Sequence, residues 1–180
     1  KFSVNQKDLQ QSLSYCQGVI EKRSTLPILS NVLIDASNSK LKITATDLDL
    51  IFINEIKNVE IIEEGKTTTV SSTIYDIIRK FSSGKKINFE LTKENKIHLE
   101  SEKSIFNLNC LAATEFPITE ENFNTNEFVI KSKQLLKLLN KCKFSVSNDE
   151  TRHYLSGIYF HQTNMDDKYF LTAVATDSHR

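Results

Sequence analysis

The sequence predicts an α+β fold that combines antiparallel sheets with a few short helices. Most apolar residues alternate with polar ones as they do in strands, and only three segments have helical spacing. The first part of the chain also recurs in the second. The 180 residues, 39% hydrophobic and 26% charged, suffice for one large domain or one and a half small ones. This composition argues against a disordered chain or a disulfide scaffold.

Three short amphipathic helices are predicted. The first is capped by Asn5 and stops near Gly18, and the second is capped by Ser72 or Thr73 and precedes Gly84. The third spans about 132–143. Their apolar stripes are Leu9, Leu13 and Cys16 in the first, Ile74, Ile77, Ile78 and Phe81 in the second, and Leu135, Leu138, Leu139 and Cys142 in the third.

Several other segments are typical of strands because Val, Ile, Thr and Phe are frequent in them. The clearest pair, 87–91 and 97–99, is joined by a polar turn at 92–95 and indicates an antiparallel hairpin. The other predicted strands are 31–35, 40–45, 50–57, 67–70 and 105–111.

An internal repeat relates the two parts of the chain. Leu9 recurs as Leu135 and Leu29 as Leu155, both at an offset of 126 residues. The offset is 130 between Ala45-Thr46-Asp47 and Ala175-Thr176-Asp177, so we expect a four-residue insertion in the polar segment 162–168. The repeat predicts a complete domain at 1–122 and the first half of a similar one at 127–180. Because a half domain exposes unpaired strands, a longer natural gene product is expected.

The sequence carries no membrane-length apolar run and no secretory signal, which predicts a cytoplasmic protein.

The spacing of Cys16, Cys110 and Cys142 matches neither a zinc site nor a redox pair, so buried, reduced thiols are expected. The four glycines are too few and too widely spaced to form a phosphate-binding loop. Three consecutive residues such as Asp177-Ser178-His179 cannot converge on one reacting atom. Acidic pairs such as Asp47 and Asp49 are more often solvated than metal-binding, so we expect no metal and no cofactor.

A basic helix face is the strongest binding feature. The formal net charge is zero, which excludes a generic, strongly basic nucleic-acid binder. However, the segment 131–143 holds five lysines and no acid, and Lys133, Lys137 and Lys141 recur along one side of the third helix. Either this is ordinary solvated charge, or it is a surface that holds nucleic acid by its phosphates without reading bases. The residues that would continue such a face are Lys7, Arg79 and Lys80.

Several motifs resemble one family, that of the bacterial sliding clamp, the beta subunit of DNA polymerase III. They are RSTLPILSNVLID from Arg23, ATDLDL from Ala45, LAATEFP from Leu111, TRHYLSG from Thr151 and ATDSHR from Ala175. The resemblance is in register from Lys1 and covers essentially the whole chain.

This resemblance implies a DNA clamp fold, in which repeated domains form a head-to-tail homodimeric ring with sheets outside and short helices lining a central hole. Such a ring slides on duplex DNA without sequence specificity, tethers the replicative polymerase and performs no chemistry. The implied partners are double-stranded DNA, the polymerase III alpha subunit, the clamp loader and other proteins with a clamp-binding linear motif. Since the family chain has three similar domains, the remainder of the second and the third would lie outside this sequence.

The resemblance also assigns site residues. The implied DNA contacts are Arg23, Asn148, Asp149, His153 and Tyr154. The family often has an uncharged polar residue where this chain has Asp149, and an acid repels phosphate; Thr73 stands where some relatives carry a basic residue. The implied peptide pocket consists of Leu155, Thr176, Ser178, His179 and Arg180, with Ser178 where glycine is common. Phe106 and Leu108 match edge-strand positions of the dimer interface.

Two other functions remain open at this point. The first is an enzyme acting on nucleic acid, such as a nuclease, in which Asp47, Asp49 and Asp177 hold a divalent ion. The second is an interaction domain that never closes a ring. Metal-dependent cleavage of DNA would indicate the enzyme, and a full-length monomer would indicate the interaction domain.

Overall fold

The computed structural model describes residues 1–20, 26–117, 128–149 and 151–180. The chain divides into two compact units, Lys1–Glu120 and Glu121–Arg180. The predicted domain boundaries at 122 and 127 fall outside the described residues.

Unit 1 contains two antiparallel sheets within its described residues, and the α+β prediction is confirmed. One sheet has the strand order β5-β1-β7-β8-β9 and the other the order β4-β3-β2-β6. The strands are β1 (Phe2–Asn5), β2 (Asn31–Ser37), β3 (Lys40–Thr46), β4 (Ile51–Ile56), β5 (Val59–Ile61), β6 (Gly65–Val70), β7 (Lys86–Leu91), β8 (Lys96–Ser101) and β9 (Ser104–Asn109). The helices of this unit are α1 (Gln6–Cys16) and α2 (Ser71–Ile78).

The core of unit 1 draws apolar side chains from both sheets and both helices into one cluster. Leu13 of α1, Ile74 of α2, Ile43 of β3 and Leu99 of β8 are completely buried within it. Burial of this apolar surface is the main force that holds the two sheets and the helices together.

The two helices of unit 1 begin in different ways. Asn5 caps α1 as predicted, because its side-chain oxygen accepts a hydrogen bond from the Lys7 amide at 2.9 Å. The predicted caps of α2, Ser72 and Thr73, are wrong: α2 starts at Ser71 directly after β6, with Val70 at the N-cap and no side-chain bond there. The chain passes straight from strand to helix, so no polar cap marks the boundary.

Glutamines tie α1 to α2 in an antiparallel arrangement. Gln6 Nε2 donates to the Ile78 carbonyl at 2.9 Å, and Gln17 Nε2 donates to Ser71 Oγ at 2.7 Å. The start of α1 therefore lies beside the end of α2.

The described part of unit 2 contains α3 (Ser132–Cys142), β10 (Tyr159–Met165) and β11 (Lys168–Val174), with short 3₁₀ turns between α3 and β10. The two strands form an antiparallel hairpin, and α3 packs on β11. The Cys142 thiol points to the Ala173 carbonyl at 3.4 Å. Among the helices in the described ranges, none combines the length and apolar character needed to cross a bilayer.

The structure confirms the internal repeat and the four-residue insertion. In unit 1, Leu33 of β2 pairs with Thr44 of β3. In unit 2, Tyr159 pairs with Val174; Tyr159 follows Leu33 by 126 residues and Val174 follows Thr44 by 130. The turn residues are Asn38-Ser39 in unit 1 and Asp166-Asp167 in unit 2, all with positive φ. The insertion thus adds two residue pairs at the turn end of the hairpin, whose ladder has seven pairs in unit 2 and five in unit 1.

All three cysteines are free, but only Cys16 is fully buried. Burial raises the pKa of the Cys16 thiol to about 12. Cys110 and Cys142 are half-buried, so the expectation of buried thiols holds fully for Cys16 alone.

Candidate functional site

The lysine face of α3 is exposed. Lys133, Lys137 and Lys141 lie on the side of the helix opposite its half-buried leucines. Together with Lys131 and Lys143, these lysines make no ion pair with any described residue. The face therefore presents uncompensated positive charge, although the chain as a whole is neutral.

Unit 1 has a smaller basic cluster where α1 begins and α2 ends. The bond from Gln6 to Ile78 brings Lys7 near Arg79 and Lys80. Arg79 is already paired with Asp76 at 3.3 Å, whereas Lys7 and Lys80 are exposed and have no ion-pair partner in the described ranges. The described part of unit 1 thus offers two uncompensated charges at this end.

The described residues of the loop at 147–155, called the DNA loop below because the resemblance assigns DNA contacts to it, are joined by local hydrogen bonds. The Ser147 amide donates to the Leu155 carbonyl at 3.0 Å, and the Asp149 amide donates to Ser147 Oγ at 3.1 Å. Asn148 and His153 are exposed, and Tyr154 is 81% exposed. An anchored backbone therefore presents an amide, an imidazole and a phenol to solvent.

Asp149 has its carboxylate engaged within that loop. Its Oδ1 accepts from the Thr151 hydroxyl at 2.6 Å and from the Thr151 amide at 3.0 Å, and its Oδ2 accepts from Arg152 Nε at 2.8 Å. The Thr151 hydroxyl and amide and then the Arg152 guanidinium hold the pKa of Asp149 at about 2. The negative charge expected to repel phosphate is thus balanced by Arg152.

The segment at 175–180, called the pocket loop below because the resemblance assigns peptide-pocket residues to it, is a second turn closed by hydrogen bonds. Thr176 Oγ1 accepts from the Ser178 amide at 3.1 Å, and Asp177 Oδ1 accepts from the amides of His179 at 2.9 Å and Arg180 at 3.1 Å. The His179 amide and the Arg180 guanidinium hold the pKa of Asp177 at about 2. Ser178 has a φ of 77°, in the region that favours glycine.

The predicted pocket residues therefore lie on two loops. Leu155 is half-buried at the end of the DNA loop, and Thr176, Ser178 and His179 are exposed on the pocket loop. Arg180 is 63% exposed, pairs with Asp177 at 2.9 Å and lies over the Phe144 ring, 5.8 Å from its centroid.

Arg152 joins the two loops, which the sequence reasoning missed. Its Nη1 donates to Ser178 Oγ at 2.9 Å while its Nε donates to Asp149. The sequence signal was an i,i+3 Asp–Arg pair, but the partner on the pocket loop is 26 residues away.

Unit 1 repeats the pocket-loop turn with other side chains. The Leu48 amide donates to Thr46 Oγ1 at 3.0 Å, and the amides of Asp49 and Leu50 donate to Asp47 Oδ1 at 3.1 and 2.7 Å. Leu48 has a φ of 83°, like Ser178 at the equivalent position. Two of the acids considered as metal ligands, Asp47 and Asp177, thus have the same turn-forming role.

The two predicted interface residues differ in exposure. β9 lies at the edge of its sheet. Phe106 is 38% exposed and meets the Phe81 ring edge-on, with ring centroids 5.7 Å apart. Leu108 is only 9% exposed and belongs to the core of unit 1. Arg23, the remaining predicted DNA contact, lies outside the described residues.

No cluster of three or more His, Cys, Asp or Glu side chains in the described ranges could hold a metal ion.

Family models match both parts of the chain. Residues 1–120 match the N-terminal domain of the DNA polymerase III beta subunit, and residues 129–180 match its central domain.

Individual relatives agree with these matches. A beta sliding clamp of Caulobacter vibrioides is 34% identical over 181 residues, covering 100% of this chain and 48% of the relative. The crystal structure of the C. crescentus beta sliding clamp has a TM-score of 0.93 at 34% identity, covering 99% of this chain and 47% of that one. A Bartonella birtlesii DnaN sliding clamp bound to griselimycin has a TM-score of 0.92 at 38% identity, covering 99% and 47%. The chain thus spans about half the length of the relatives it matches.

Proposed function

Because the chain belongs to the family of the DNA polymerase III beta subunit, we propose that it acts as part of a beta sliding clamp. The proposed clamp is a ring that encircles duplex DNA, slides without sequence specificity and tethers the replicative polymerase. Residues 1–122 would form its first domain and residues 127–180 the first half of its second. The second half and a third domain would complete the subunit in the cytoplasm.

The uncompensated lysines of α3 are the observation that carries this proposal. Lysines attract the phosphate backbone without reading bases, so their contact is independent of sequence and weakened by salt. Weak contact permits sliding, and enclosure by a ring would prevent loss of the DNA. A neutral chain that carries a free basic helix face on α3 fits this combination of weak contact and enclosure.

The DNA loop would supply further contacts. Asn148, His153 and Tyr154 are exposed there and can donate hydrogen bonds to phosphate oxygens. We infer that Asp149 acts differently: its carboxylate holds Arg152 and stabilises the loop, so its own contact with DNA is indirect. Arg23 is proposed as a DNA contact on the resemblance alone.

The pocket loop would dock the partners of the clamp. We propose that Leu155 forms an apolar wall and that Thr176, Ser178, His179 and Arg180 form a polar rim for a short linear motif. The proposed ligands are motifs of the polymerase III alpha subunit, the clamp loader and other replication or repair proteins. Griselimycin, which two solved relatives carry, is a further candidate ligand.

Ring closure would use the free edge of β9. A partner strand can pair with the unpaired backbone there, and the half-exposed Phe106 can pack across the joint. We propose that Leu108 supports this edge from the core and contributes little contact area of its own.

We propose that the protein is not an enzyme and needs no metal or cofactor. In the turns that they share, Asp47 and Asp177 accept backbone hydrogen bonds, which accounts for their presence without catalysis.

Retention on DNA tests the function directly. The full-length gene product, loaded by its clamp loader, is expected to stay on nicked circular DNA through gel filtration and to be lost when the circle is linearised. Loss at equal rates from both forms contradicts enclosure. Cleavage of the same DNA that depends on Mg²⁺ or Mn²⁺ would instead indicate the nuclease.

A further inference from the structure

Arg152 bridges two loops that the proposed function assigns to different ligands. Its Nε donates to Asp149 Oδ2 at 2.8 Å on the DNA loop, and its Nη1 donates to Ser178 Oγ at 2.9 Å on the pocket loop. Two bonds from separate nitrogens of a planar guanidinium fix its orientation as well as its position. The bridge is therefore a defined link between the loops.

The fold of the pocket loop does not require this bridge. In unit 1, the same turn forms around Thr46 and Asp47, with the same left-handed residue in its centre. The internal repeat places Leu26 where unit 2 has Arg152, and Leu48 where it has Ser178. Neither leucine has a polar side-chain atom, so these two positions of unit 1 cannot form a guanidinium–hydroxyl bond. The bridge is thus an addition specific to unit 2.

Ser178 also lacks a conformational reason to occupy its position. At a φ of 77°, a residue with a Cβ atom is less favourable than glycine. What serine adds there is a hydroxyl group, and that hydroxyl accepts the bond from Arg152.

We propose that Arg152 is a positioning residue, which holds the pocket loop through Ser178 while Asp149 fixes its guanidinium. The inference rests on the proposed docking of a peptide by the pocket loop. A loop that is already ordered loses less conformational freedom when its ligand binds, so the bridge raises peptide affinity. Asp149, which lies on the DNA loop, therefore influences peptide docking from outside the pocket.

The test measures peptide affinity of the full-length gene product. The probe is a fluorescein-labelled peptide with the clamp-binding motif of the polymerase III alpha subunit. Its binding is measured by fluorescence anisotropy. Asp149→Ala and Ser178→Ala are each expected to weaken binding by about three- to tenfold. Both changes break the same bridge, so their effects should not add. The dissociation constant of the double variant should lie within about twofold of that of the single variant with the lower affinity.

Two further variants separate positioning from general damage. Asp149→Glu keeps a carboxylate that can hold the Arg152 guanidinium, so it should recover part of the affinity that Asp149→Ala loses. Asp76→Ala breaks a matched i,i+3 Asp–Arg pair in unit 1 and should leave peptide affinity unchanged. Additive losses in the double variant, or wild-type affinity in both single variants, overturn the proposal.

Amide hydrogen exchange of the unliganded protein gives a second, independent readout. Loss of the bridge is expected to speed exchange of the His179 and Arg180 amides, with no change in α1. Unchanged exchange at those two amides would also overturn the proposal. If the wild type fails to bind the probe, the proposed docking function fails, and the exchange rates alone then decide whether Arg152 positions the loop.

Discussion

Asp149 and Asp177 show how single carboxylates organise the candidate site. The Asp149 carboxylate accepts a hydrogen bond from the Thr151 amide, and the Asp177 carboxylate accepts from the His179 and Arg180 amides. Each also pairs with the arginine three residues later. The two arginines thereby carry little free positive charge, unlike the lysines of α3. We infer that these arginines shape the loops and that the lysines attract DNA.

Acidification should loosen both loops in a defined pH range. The pKa of each carboxyl is about 2 in the folded chain, below the ordinary value of 3.8. A lowered folded-state pKa means that the stabilisation is complete above about pH 4 and is lost as the pH falls through 3.8 to about 2. Carboxyl NMR titration checks this, with Asp149→Asn and Asp177→Asn to assign the signals. Midpoints near 3.8 would contradict the geometry of the loops.

At the scale of the element, α1 depends on its cap. Replacing Asn5 by Ala removes the acceptor for the Lys7 amide and should lower the free energy of unfolding by about 1 kcal/mol. Urea denaturation measures this loss. Asn58→Ala, at an exposed position between β4 and β5, is the control and should change stability by less than about 0.5 kcal/mol. Equal effects of the two changes would contradict the capping role.

The lysine face of α3 should govern the salt dependence of DNA binding. Changing Lys133, Lys137 and Lys141 to Gln removes three uncompensated charges, so the slope of log K against log salt should become shallower by about 3. The equilibrium is measured with short duplex DNA at several salt concentrations.

The matched control for this series removes the same total charge. It changes three lysines that are already paired with glutamates, namely Lys40, Lys86 and Lys96, to Gln. Little change in slope is expected. If the control changes the salt slope as much as the α3 variant does, net charge and not this face governs DNA binding.

Sequence reasoning succeeded where the pattern was local. Alternating apolar residues predicted the β7–β8 hairpin, and the structure pairs Phe89 with Leu99 as expected. β5 was missed because its three residues are too few to show alternation. The start of α2 was misplaced because no polar cap precedes it.

The candidate site was less predictable because its key contact is not local. The sequence showed an acid at Asp149 in a segment expected to meet phosphate, which suggested repulsion. Only the folded chain brings Arg152 between Asp149 and Ser178, across 26 residues of sequence.

At the scale of the whole molecule, the proposal requires a ring. Light scattering of the full-length gene product should give the mass of a dimer, whereas the 180-residue chain alone should be a monomer. The reason is that the free edge of β9 would pair with a domain outside the residues present here. A full-length monomer would remove the ring and favour the interaction domain.

The longer hairpin of unit 2 has a consequence for how such chains change in evolution. Opposite residues in an antiparallel ladder alternate between hydrogen-bonded and non-hydrogen-bonded pairs, and between the two faces of the sheet. One extra pair would therefore change both the kind of pair that closes the turn and the side to which it points. Two extra pairs leave the kind of closing pair and the side to which it points unchanged. The pairs that close the two turns are Ser37–Lys40 in unit 1 and Met165–Lys168 in unit 2. Genes that lengthen this hairpin and keep its two-residue turn are thus restricted to insertions in multiples of four codons.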